Sequence, residues 1–89
     1  MNSVVDASPD DQIEELNPVE LFTYRVITQA GLRIREEAGM NGNIIACMNY
    51  GSECFSDGTS KNVDGETWLN VSQGDHHGWS CAKYLQLIE

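Results

Sequence analysis

From Leu21 onward, bulky and polar residues alternate with the two-residue period of strands that rest one face on a core. Phe22-Thr-Tyr-Arg-Val-Ile follows this pattern, and Gly31 separates it from Leu32-Arg-Ile-Arg. In the second run Leu32 and Ile34 are predicted to point inward, with Arg33 and Arg35 in water. Glu36 to Gly42 reads as a turn-rich loop, Asn43 to Met48 as a strand, Asn49 to Ser52 as a tight turn and Glu53 to Ser56 as a further strand. Asp57 to Glu66 reads as a long polar loop between Asp-Gly turn signals. Thr67 to Ser72 is the next predicted strand, followed by a hairpin turn over Gln73 to Gly78 and a short strand over Trp79 to Cys81. One helical turn is expected at Ala82 to Leu85, and Leu87-Ile88 supplies a closing strand. Five or six short strands with glycine-punctuated turns predict an all-β domain, a small closed or half-closed barrel over residues 21–89.

Residues 1–20 follow a different pattern. Ser8 suits an N-cap, Pro9 the first helical position, and Asp10 and Asp11 the positive end of a helix dipole. Ile13 and Leu16 share a face, and Asn17-Pro18 stops the segment, so a helix of about two turns is predicted near 9–16. So short a helix needs something to pack on.

Charge sharpens this division. The 89 residues carry a formal net charge of −9, yet residues 1–20 hold six acids and no base, while 21–89 hold eight acids against five bases. The leader reads either as a solvated tail or as a docking arm for a partner with a basic surface, with Ile13, Leu16, Asp10, Asp11, Glu14 and Glu15 making the contact. An excess of acid argues against binding nucleic acid or anionic membrane, since both need clustered cations. No apolar run approaches the roughly 20 residues of a membrane span. The opening residues lack the basic and apolar regions of a secretory signal, which points to an intracellular or organellar reducing compartment. One small domain with a thin core is what this length supports.

Four segments in order carry a resemblance. They are Tyr24-Arg-Val-Ile-Thr with Gly31-Leu-Arg-Ile-Arg-Glu, then Asn43 to Phe55, then Glu66-Thr-Trp-Leu-Asn-Val, and finally Gly78-Trp-Ser-Cys-Ala-Lys-Tyr-Leu. Together they resemble the bacterial SH3-like (SH3b) family over Tyr24 to Leu87. The resemblance implies a five-stranded SH3-like barrel with a non-catalytic binding surface, used for cell-wall targeting or as an interaction module. The last segment also resembles the end of eukaryotic proline-recognising SH3 domains, which implies that Tyr84 lies near Trp68. Alternation assigns Leu69 and Val71 to the core and leaves Trp68 partly exposed on the other face. Trp68, Tyr84, Trp79 and Tyr50 are therefore the candidate binding residues, set against the plainer reading that the rings cap a thin core.

Cys47, Cys54 and Cys81 read as free, packed thiols, since an odd count without a secretory signal fits a reducing compartment. Cys47 and Cys54 are predicted on adjacent strands of one hairpin, where a disulfide is the minor alternative. Zinc is weighed because His76 and His77 are present, but no CxxC pair exists and adjacent strand residues point oppositely. No cofactor or metal is expected. Cys54 or Cys81 with His76, His77 and Asp75 contains the residue types of a cysteine-nucleophile triad. A barrel this small leaves little room for the roughly 300 Å³ pocket such chemistry needs, so no catalytic residue is assigned. Asp75-His76-His77 reads instead as an exposed hairpin tip.

Two functions fit these features. The first is a non-catalytic interaction module, an accessory or assembly subunit of a larger protein complex. The second is an SH3b-type targeting module for cell-wall peptide or glycan.

Overall fold

The computed structural model describes residues 20–88. The predicted helix at 9–16 and the docking-arm residues lie outside that range. The strands are β1 (Phe22–Val26), β2 (Leu32–Arg35), β3 (Ile44–Met48), β4 (Glu53–Ser56), β5 (Ser60–Val63), β6 (Glu66–Gln73), β7 (His76–Cys81) and β8 (Leu85–Ile88). One 3₁₀ turn, Ala82–Tyr84, joins β7 to β8 where a helical turn was expected.

The all-β class is as predicted, but the five-stranded closed barrel is not. All eight strands form one open antiparallel sheet in the order β3-β2-β7-β6-β4-β1-β8, with β5 beside β6. Two features account for the difference. The expected polar loop contains β5, because Asp64 (φ 53°) and Gly65 (φ 82°) both take left-handed backbone and turn the chain in two residues. That turn sets Val63 opposite Glu66 and carries the pairing through to Ser60 and Leu69. In addition, β3 and β4 are joined in sequence but do not pair: β3 lies at one edge on β2, while β4 lies between β1 and β6. Cys47 and Cys54 are therefore not hairpin neighbours.

One buried cluster unites Val26, Leu32, Ile34, Met48, Cys54, Leu69 and Val71, drawn from β1, β2, β3, β4 and β6. Residues from so many strands meet in one core only if the sheet curls around it, even though its edges β3 and β8 stay unpaired. At the β2–β7 junction Arg35 stands opposite Trp79. A side chain on Gly78 would overlap the Arg35 carbonyl and come within 2.9 Å of Ile34 Cγ2. Glycine is what lets β7 lie this close to β2.

Arg35 departs from the alternation. Arg33 is exposed as expected, whereas Arg35 is only 8% exposed. A bulge shifts the β2–β3 register between Ile34 and Arg35, and the 36–43 loop then folds over the guanidinium. Arg35 Nη1 donates to the carbonyls of Met40 (3.0 Å) and Gly42 (2.9 Å). The loop neck is closed by Glu36 N–H donating to Asn43 O at 2.7 Å.

Candidate functional site

A half-open cleft of about 320 Å³ lies against the outer side of β2, β6 and β7. Strand pairing explains its membership. Trp68 of β6 stands opposite Cys81 of β7, and Arg33 of β2 opposite Cys47 of β3, so each pair projects from the same side of the sheet. Leu32 and Arg35 of β2, Thr28, Ala30 and Gly31 from the β1–β2 connection, Met40 from the 36–43 loop and Tyr84 from the 3₁₀ turn complete the lining. Five of the eleven lining residues come from connections between strands, which extend the cleft beyond the sheet itself.

The distribution of charge within this acidic protein is uneven. Arg25 meets Glu53 at 3.4 Å and Lys83 meets Glu66 at 3.0 Å, both at the surface. Lys61 Nζ lies 4.8 Å from the centre of the Trp79 ring. Among the described residues, Arg33 and Arg35 have no carboxylate within ion-pair distance, and both line the cleft. The carboxylate of Glu66 holds the Lys83 ammonium above its usual range, chiefly through the hydrogen bond and then through its charge. Its other oxygen accepts a weak, 3.8 Å hydrogen bond from the Cys81 thiol.

Of the predicted binding residues, the cleft brings together Trp68 and Tyr84 and leaves out Trp79 and Tyr50. Leu69 and Val71 do enter the core, and Trp68 does face the other way. Trp68 is nevertheless only 3% exposed, not partly open, although it lines the cleft. Tyr84 is 39% exposed. Trp79 is half-buried under Lys61, and Tyr50 is exposed on the turn before β4. Sequence reasoning missed Arg33 and Arg35 as cleft residues by reading both as solvated. Their two-residue spacing does signal a shared side of β2.

Thiol chemistry is dispersed. Cys54 is buried in the core, and burial pushes its thiol up to about 11, the opposite of what a nucleophile needs. Cys81 is buried at one end of β7, and His76 and His77 are exposed at the other, on the order of 13–16 Å away along a strand. Cys47 is exposed, in contrast to the packed thiol expected there. Among the described residues no group of three His, Cys, Asp or Glu side chains is placed to hold a metal ion. A second hollow of about 160 Å³ lies beside Leu21, Phe55, Asn70 and His77. At its rim the Thr59 backbone N–H donates to Asp57 at 2.9 Å and holds that carboxyl below its usual range.

Among the described residues no helix is long and apolar enough to cross a membrane. Comparison with protein-family models, curated proteins and solved structures finds no match to this chain.

Proposed function

We propose that this protein is a non-catalytic protein-interaction module, an accessory or assembly subunit of a larger complex, and that the cleft is its contact site. The observation that carries this reading is the shared placement of Trp68 and Tyr84 in a half-open cleft. Aromatic rings with one apolar side and one polar tip are favoured anchors at protein interfaces. The order of the four SH3b-like segments supports descent from an interaction-domain family, with strands added to that family's plan. An exposed thiol at Cys47 fits residence in a reducing compartment.

Native co-purification with the full chain tests the reading. Tyr84→Ala is the informative variant, because an exposed ring can be removed without opening the core. Stoichiometric protein partners that fall at least tenfold with Tyr84→Ala are expected. Unchanged recovery would refute the cleft as contact site, and pelleting with purified cell walls would favour the targeting role instead.

A further inference from the structure

We propose that the cleft is a receptor for a carboxylate-bearing peptide segment of a protein partner, with Arg33 and Arg35 as the carboxylate clamp. This rests on the interaction-module reading and deepens it by naming the chemistry of the partner. Arg35 is fixed in advance: both N–H groups of Nη1 are taken by the Met40 and Gly42 carbonyls. Its Nη2 has only the Met40 sulfur at 3.9 Å among the described residues. A guanidinium this deeply buried without a counter-charge is costly, and an arriving carboxylate relieves that cost. The planar fork matches a carboxylate in two parallel hydrogen bonds, and holding it beforehand reduces the ordering entropy of binding.

Arg33, on the same side of β2 and exposed, supplies the second cation and the attraction at a distance. The selection is specific, because the other three bases each have a carboxylate or a ring beside them. Leu32, Met40, Trp68 and Tyr84 form apolar walls beside this charge. A volume of about 320 Å³ that is open on one side suits one acidic and one apolar side chain of a passing peptide. The occupant is therefore an acidic residue beside an aromatic or aliphatic one.

Calorimetry on the full chain tests this with two capped peptides, acetyl-Gly-Phe-Asp-Leu-Gly-amide and its Asp→Asn counterpart. The Asp peptide should bind at least tenfold more tightly than the Asn peptide. Arg33→Gln, a surface change that spares the fold, should remove at least fivefold of that preference, and Arg35→Lys should lower affinity despite keeping the charge. Equal binding of the two peptides, or no binding at millimolar concentration, overturns the proposal. So does inorganic phosphate competing at the peptide's own concentration, which would make this a simple anion site. Binding seen only after Asp10, Asp11, Glu14 and Glu15 are changed to Asn or Gln would make the chain's own leader the occupant. If both peptides bind equally and both are lost with Tyr84→Ala, the clamp fails while the interaction module survives.

Discussion

The β5–β6–β7 meander and the β2–β3 pair with its 36–43 loop sit in one sheet but are held by different means. In the meander, eight-residue β6 runs between β7 on one side and β5 then β4 on the other, so its backbone is satisfied by local ladders. In the second region, four-residue β2 pairs with a β3 that carries one extra residue, Ile45, and the loop between them hangs on one buried guanidinium. The first region is determined by turns that neighbouring residues dictate. The second depends on one side chain, Arg35, whose hydrogen bonds to the Met40 and Gly42 carbonyls hold the loop. The cleft lies on this seam, with a floor from Trp68 and Cys81 and a wall from Arg33, Arg35, Met40 and Cys47.

Substitutions can break that contrast or sharpen it. Trp68→Ala should have the largest effect, about 3–5 kcal/mol of stability by denaturant unfolding, because a nearly buried indole leaves a large void in the floor. Gly78→Ala should cost about 3 kcal/mol, at the upper end of overpacking, since the obstacle includes the backbone of Arg35 and cannot rotate aside. Arg35→Met should cost only about 1–2 kcal/mol, because the Met40 and Gly42 carbonyls it abandons can reach water. Its signature is local. Hydrogen exchange at Glu36 and Gly42 should quicken while β6 and β7 keep their protection, and global loosening would contradict the contrast.

A pH titration probes the core that both regions share. An unfolded Cys54 thiol ionises near pH 9.0, whereas in the fold it is pushed up to about 11. Below pH 9 both states hold the proton and the contribution is complete. Between pH 9 and 11 only the unfolded state releases it, so stability should fall by on the order of 2 kcal/mol relative to a Cys54→Ala reference. Arg25→Gln should change stability least, by under about 0.5 kcal/mol, because its pairing with Glu53 is made in solvent.

Much of the sheet was legible in the alternation itself. Leu32, Ile34, Leu69 and Val71 face the core as their spacing requires. Alternation reports which side a residue takes, not which strand lies next to it. For that reason the separation of β3 from β4, and with it the relation of Cys47 to Cys54, was hidden. The strand Ser60–Val63 was hidden by its polar residues, although the Asp64-Gly65 signal that creates it was in view. Arg35 was misplaced because the 36–43 loop folds over its guanidinium, a burial that alternation along β2 does not report. Only the Trp68–Tyr84 pairing within the cleft was anticipated, from the resemblance of the last segment to SH3 domains. The arginine wall arises where the 36–43 loop folds back on Arg35 beside the extra residue of β3, a geometry within one hairpin that alternation does not report.

The left-handed pair at Asp64 and Gly65 also orders the assembly of the molecule in time. Hairpins closed by two residues form within about 1–10 μs, so β5 and β6 can zip first and offer β7 an edge across the equally short Gly74-Asp75 turn. The pairing of β1 with β8 joins opposite ends of the described chain and must wait for the large loss of chain freedom between them. On loop length alone the meander is expected to form before β1 meets β8, and the overall folding rate of a variant with a slower Asp64-Gly65 turn tests that order.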